Sequence, residues 1–274
     1  MALPQQPDIL SVILEKRKAL HDQKGFSFGH SVPLKREKPV VPFLPEKGAI
    51  LEVKRASPSR GDIAPFLNAA ETACTYAEQG AGAISVLTEE TFFKGSLEDL
   101  CAVSVAVYKK NPGIAILRKD FLVEEEEIDI SYSCGSDAVL LIARILETEK
   151  LCSMAKKAVS LGLSILCEIR EEEDLGKYHT MCRTVQKGRG QARIFLGINT
   201  RDLATFILDP LVPSSFFYDV EEGSLMIYES GVKTVEAAAF AGNMGFHGLL
   251  MGEAAAKNPG GASALVAKFK IGRA

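Results

Sequence analysis

Eight short apolar runs, rich in Val, Ile and Leu, recur through most of the chain, at residues 49–53, 83–87, 114–117, 138–142, 165–169, 194–198, 225–228 and 248–251. Their centres lie roughly 23 to 34 residues apart, the length of one strand-plus-helix unit. Strands that are apolar throughout and alternate with helical segments belong to parallel sheets covered on both faces. Eight consecutive units predict closure into a (β/α)8 barrel, because an open doubly wound sheet more often stops at five or six strands. The open sheet stands as the alternative on periodicity alone. A chain of 274 residues fits one such barrel with a single core.

Between the runs, helices are expected over 65–79, 97–109, 124–133, 147–161, 171–181 and 235–241, with a last one from 253 to 270. Ahead of the first strand, Asp8 is an N-cap candidate for a helix over 9–20 with a broad apolar stripe. Residues 21–48 carry Pro33, Pro39, Pro42 and Pro45 and read as an irregular connection. The expected organisation is therefore an N-terminal helix and connection, residues 1–48, packed on a catalytic barrel, residues 49–274. The four glutamates 124–127 read as an acidic first helical turn favoured by the macrodipole.

Lys and Arg number 32 against 35 Asp and Glu, a net charge of −3, which offers no electrostatic footprint for nucleic acid or an anionic membrane. An anionic ligand must then be held by a local site. The six cysteines form no C-x-x-C pair and read as reduced packing residues. With no apolar run near about 18 residues and no signal-like segment, a cytoplasmic protein is the default. Metal and nucleotide motifs are absent, and Gly188-Arg-Gly190 precedes a strand instead of following one. His21, His30, His179 and His247 read as surface or packing residues.

In a barrel the chemistry collects at the C-terminal ends of the strands. Here those ends are polar nearly all the way round: Glu52, Lys54 and Ser57; Thr88 and Glu89; Arg118, Lys119 and Asp120; Arg144; Glu168 and Arg170; Asn199 and Arg201; Glu229 and Ser230; Glu253. Glu52 and Lys54 stand two apart and share a side of their strand, with Glu168 nearly opposite around the ring. Carboxyls and ammoniums crowded into one cavity can divide into proton donors and acceptors. Gly231 and Gly252, after the seventh and eighth strands, lie where barrels recurrently hold phosphate, and Ser57 and Ser59 could add hydroxyls. These features alone also fit another phosphate-binding barrel isomerase, or a non-catalytic barrel that binds a sugar phosphate.

The segments Glu52-Val-Lys54-Arg-Ala-Ser57-Pro-Ser59-Arg-Gly61, Leu87-Thr-Glu89 with Phe92-Phe-Lys-Gly95-Ser96, Leu117-Arg-Lys119-Asp-Phe121, 137–142, Gly197-Ile-Asn199-Thr-Arg201-Asp-Leu203 and Glu229-Ser230-Gly231 together resemble indole-3-glycerol-phosphate synthase, in order and in register. The resemblance implies a (β/α)8 enzyme of tryptophan biosynthesis. Such an enzyme closes 1-(2-carboxyphenylamino)-1-deoxyribulose 5-phosphate to an indole with loss of carbon dioxide and water. It implies Lys119 as general acid at the carbonyl, Lys54 opposite the anthranilate carboxylate, and Glu168 as acid/base partner in dehydration. Glu52 and Asn199 would orient these groups. Arg201, Glu229, Ser230 and Glu253 would line the cavity, Ser57, Gly231 and Gly252 would meet phosphate, and Phe93, Phe121 and Leu203 would wall the aromatic ring. No cofactor is implied, the expected partner is a small phosphorylated substrate, and the expected state is a monomer or weak homo-oligomer. The chain ends about one helix after the eighth strand, so the isomerase domain fused to some relatives is not expected. Thr200, Arg170, Tyr228, Ala254 to Ala256 and the basic stretch 183–193 depart from the common pattern, and none of these removes a proton-transfer group.

Overall fold

The computed structural model describes residues 8–185, 193–216 and 219–271. Its centre is a closed barrel of eight parallel strands, β1 (Gly48–Val53), β2 (Ala83–Leu87), β3 (Ala115–Lys119), β4 (Ala138–Ile142), β5 (Ser164–Ile169), β6 (Ile194–Asn199), β7 (Leu225–Glu229) and β8 (Gly248–Met251). Each strand pairs with the next and β8 pairs with β1, so the sheet has no free edge. A small antiparallel hairpin, Ala56–Ser57 against Gly61–Asp62, stands on the loop after β1. The closed barrel decides between the two topologies left open by periodicity.

Strand parity positions the chemistry. Ala49, Leu51 and Val53 face the helices, whereas Ile50 faces the barrel interior; Ile116 and Leu117 divide the same way on β3. Continuing the inward parity brings Glu52, Lys119, Glu168, Asn199 and Glu229 to the upper interior, where all five line one cavity. The lower interior is apolar. Phe43 and Leu44, from the proline-rich connection, plug it, with the Phe43 ring edge-on to Phe195 at 5.2 Å between centroids. Gly82 and Gly248 admit Leu44, since a Cβ at either would come 2.7 Å from a Leu44 methyl.

Helix α1 (Ile9–Lys24) is capped by the Asp8 carboxylate, which accepts from Ser11 N at 3.0 Å. It is longer than its apolar stripe predicts. Arg17 of α1 is buried against the loop after β3, donating to Asp120 at 2.7 Å and to Glu127. The connection is pinned lower down by Asp137. Its carboxylate accepts from Lys38 Nζ (2.7 Å), Val41 N (2.9 Å) and Ile116 N (2.8 Å).

Two expectations need correction. The helix expected from residue 65 begins at Ala69 (α2, Ala69–Glu78), because the Asn68 side chain accepts from Glu71 N and caps it there. The C-terminal helix is broken into Glu253–Lys257 and Ser263–Ile271 by the 3₁₀ turn Pro259–Gly261, where Pro259 and two glycines interrupt the helical ladder. The acidic first turn expected at 124–127 is present, with Glu126 and Glu127 opening the helix Glu126–Ser133; Glu127 is also fully buried as a partner of Arg17, while its other oxygen accepts from Val123 N at 2.8 Å. Of the basic stretch, residues 186–192, including Gly188-Arg-Gly190, lie outside the described residues.

Candidate active site

The upper barrel opens into a cavity of roughly 970 Å³, counting all space outside the atoms and open to solvent at its mouth. Every residue expected at the site lines it: Glu52, Lys54, Ser57, Phe93, Lys119, Phe121, Glu168, Asn199, Arg201, Leu203, Glu229, Ser230, Gly231, Gly252 and Glu253.

Its floor holds three carboxyls and two ammoniums. Lys54 Nζ lies 2.8 Å from Glu52 Oε1. Lys119 Nζ lies 3.5 Å from Glu168 Oε2 and 3.7 Å from Glu229 Oε2. Asn199 braces the set, donating from Nδ2 to Glu168 Oε1 at 3.0 Å while its Oδ1 accepts from Arg201 N at 2.9 Å. Glu168 Oε2 and both oxygens of Glu229 make no hydrogen bond within the described residues, although each is buried. Buried acceptors in that condition are costly unless a ligand completes them. Gly197 is required beneath them, because a Cβ there would collide with the Glu229 carboxyl.

Two positive and three negative groups balance when one carboxyl keeps its proton, and Glu229 is that carboxyl. Burial and the neighbouring Glu168 charge push its pKa well above the ordinary value, against the pull of Lys119. Burial pushes Lys119 the other way, but the Glu168 and Glu52 carboxylates outweigh it and raise its pKa above the usual lysine value. Burial raises Glu52, yet Lys54 and Lys119 outweigh that effect and hold its carboxyl below normal. The floor thus sets a carboxyl shifted toward its neutral form beside an ammonium and a carboxylate shifted toward their charged forms.

Above the floor is an apolar slot. The rings of Phe93 and Phe121 lie 6.1 Å apart and Leu203 joins them, with Leu140 and Ile142 continuing the apolar lining down beside Glu168, a shape suited to a planar aromatic group. Phe121 is fixed from behind by Asp120, whose Oδ1 accepts from Phe121 N at 2.8 Å. Asp120 Oδ2 accepts from Thr88 Oγ1 (2.5 Å) and Arg118 Nη2 (3.1 Å). Burial acts to raise the Asp120 pKa, but the Arg17 and Arg118 guanidiniums outweigh it and hold the carboxyl at about 2.

The mouth is cationic. Arg60, Arg201 and Lys233 stand around Ser57, Ser59, Ser230 and Gly231. Ser230 and Gly231 are consecutive residues in the left-handed region, at φ 70° and 78°. For Ser230 that conformation is strained, and it turns the chain sharply at the cavity edge. A Cβ on Gly252 would collide with Glu52 Oε1 and lie 2.7 Å from Lys54 Nζ, so this glycine makes room for that ion pair.

Other polar strand-end residues turn away. Thr88 and Arg118 belong to the Asp120 network, and the Glu89 carboxylate accepts from the backbone N–H groups of Thr91, Phe92 and Phe93. Arg144 and Arg170 pair with Asp202, at 3.9 and 3.6 Å, and Arg170 Nη1 also donates to the Asn199 carbonyl at 3.1 Å. Tyr228 faces outward against Phe246. Sequence reasoning missed Arg60, Lys233 and Phe206 as lining residues. The first two sit within three residues of an expected phosphate contact, Ser57 or Gly231, and that spacing was the available signal.

A sequence model of the indole-3-glycerol phosphate synthase family matches residues 43–266. The chain is 38% identical over 205 residues to the indole-3-glycerol phosphate synthase of Listeria monocytogenes, with 75% of each chain covered. It is 33% identical over 249 residues to that of Oceanobacillus iheyensis, covering 89% of this chain and 90% of the relative. Against that of Carboxydothermus hydrogenoformans the identity is 39% over 219 residues, covering 80% and 77%. A crystal structure of 3-hexulose-6-phosphate synthase from Salmonella typhimurium superposes with a TM-score of 0.59 at 13% identity, covering 82% of this chain and 98% of that one, a likeness of fold. On that family model and these relatives, the chain belongs to the indole-3-glycerol phosphate synthase family.

Proposed function

We propose that this barrel closes 1-(2-carboxyphenylamino)-1-deoxyribulose 5-phosphate to indole-3-glycerol phosphate in tryptophan biosynthesis. The observation that carries the reading is the stacking of three environments in one cavity: a proton-transfer floor, an aromatic slot and a cationic mouth. The substrate has matching parts, a carbonyl with an adjacent carboxylate, an aromatic ring and a phosphate.

Lys119 donates its proton to the carbonyl oxygen as the aromatic carbon attacks the carbonyl carbon, so the new carbon–carbon bond forms without building an isolated alkoxide. Lys54 faces the anthranilate carboxylate. Carbon dioxide then leaves, and the electron pair of the broken bond returns to the ring. Glu168 carries the proton transfers of the following loss of water, with Asn199 fixing its orientation and Glu52 holding Lys54. Glu229, neutral at the floor, donates a hydrogen bond to a substrate hydroxyl. Ser57 and the backbone of Gly231 and Gly252 receive the phosphate, helped by Arg201 and Ser230, and Phe93, Phe121 and Leu203 clasp the ring. We read residues 1–48 as an extension of this barrel unit, the enzyme as cytoplasmic, and its state as a monomer or weak homo-oligomer. The Arg17 and Asp137 anchors support the first, and the free cysteines support the second. Among the described residues no helix is long and apolar enough to cross a membrane.

Incubating the protein with substrate labelled at the carboxyl carbon tests the reading. Labelled carbon dioxide and indole-3-glycerol phosphate are expected in equal amounts. Recovery of unchanged substrate, or of an isomer that retains the label, overturns it.

A further inference from the structure

Among the described residues, Glu253 is the one acidic side chain that lines the cavity's mouth, and it sits where a negative ligand is least compatible with a carboxylate. Its Oε2 lies 3.5 Å from Lys233 Nζ, and its Oε1 lies 3.6 Å from Arg60 Nε and 2.8 Å from Lys257 Nζ. The three contacts are unequal. The close one is to Lys257, one turn along the same helix and outside the cavity lining; the two loose ones are to cations that do line it. Arg201 feels the same carboxylate: burial lowers its pKa, Glu253 opposes that effect, and Arg60 adds to it.

We infer that Glu253 is a built-in stand-in for the substrate's phosphate, neutralising Arg60 and Lys233 in the empty enzyme and giving them up when the phosphate arrives. This deepens the proposed function and rests on it for the identity of the phosphate-bearing ligand. Without a counter-charge, Arg60, Lys233 and Arg201 would form a cluster that any small anion could occupy. With Glu253 present, an incoming anion must compete for the two loosely held cations. A dianionic phosphate wins that contest where a monoanion has less to offer. The displaced carboxylate keeps Lys257, so it is not left unpaired when the phosphate binds. Glu253 therefore sets the affinity and selectivity of the mouth.

A carboxylate beside the phosphate opposes binding of a dianion, and with solvent screening at this half-exposed mouth the expected effect is roughly a three- to tenfold change in affinity. Glu253→Gln keeps the shape and hydrogen-bonding capacity while removing the charge. The test is titration of inorganic phosphate into the wild-type protein, Glu253→Gln and Lys233→Met, above the second pKa of phosphate and at low salt, with thermal melts to verify that each variant is folded. The expected result is about three- to tenfold tighter phosphate binding by Glu253→Gln, weaker binding by Lys233→Met, and a smaller difference at high salt. Phosphate binding by Glu253→Gln that is unchanged or weaker overturns the inference, since the carboxylate would then be organising the cations and not competing for their ligand. Because inorganic phosphate is the probe, that failure is separate from failure of the proposed reaction, which shows instead as no indole product from the wild-type protein.

Discussion

The floor and the mouth of the cavity are both clusters of charge, yet physics treats them differently. At the floor Glu52, Glu168 and Glu229 are almost wholly withdrawn from water, and the Lys119 side chain is only 15% exposed. At the mouth the Arg60 and Lys233 side chains are 51% and 42% exposed. Buried charges interact strongly and shift one another's protonation, which suits them to moving protons; exposed ones are screened and exchangeable, which suits them to capturing a ligand. Floor variants should therefore change turnover, and mouth variants should change binding.

The largest expected effect is at the floor. Lys119→Met should lower kcat by about 10² to 10⁴, the usual cost of removing a general acid, with a smaller change in KM. If KM changes and kcat does not, the division between floor and mouth fails. Glu168→Gln should also slow turnover, but at dehydration, so rapid-quench sampling of a single turnover should find a ring-closed intermediate.

Next comes the support behind the floor. Arg17→Met removes one partner of a buried pair and leaves Asp120 and Glu127 uncompensated, so urea unfolding should show a loss of about 3–5 kcal/mol. A loss below about 1 kcal/mol would mean that the extension is not structurally tied to the catalytic strand.

Asp120 predicts a smaller, pH-dependent effect. Its folded carboxyl is held at about 2, below the ordinary aspartate value of 3.8. A depressed carboxyl contributes stability above its unfolded pKa and loses it as pH falls, here between about 4 and 2, with a total near 2 kcal/mol. Asp120→Asn should flatten that part of the stability profile. The smallest expected effect is Gly252→Val, which should raise KM several-fold. The rise in KM comes from crowding the phosphate at this backbone, and because a Cβ there also collides with the Glu52–Lys54 pair, a fall in kcat should accompany it.

The barrel was legible because its signal is local and repeated: every strand falls on its apolar run to within a residue or two, and period-two parity sends Glu52, Lys119, Glu168, Asn199 and Glu229 to one space. What escaped is carried by distant or aperiodic contacts. Arg17 meets Asp120 across 103 residues, and a single arginine on an amphipathic helix looks like any solvated charge. For the same reason the burial of Glu127 does not show in its acidic first turn. Arg60 and Lys233 lie on loops, where no periodicity shows which way a side chain points. The break at Pro259 was visible in sequence but was outweighed by the helix-forming alanines on its N-terminal side.

The most direct measurement uses a property of the chain itself. The protein contains no Trp, so indole emission after mixing with 1-(2-carboxyphenylamino)-1-deoxyribulose 5-phosphate arises from product without an indole background from the protein. The account predicts that emission rises with the wild-type protein and is almost absent over the same time with Lys119→Met. Silence from the wild-type protein, or a Lys119→Met trace that keeps most of the rate, would contradict it.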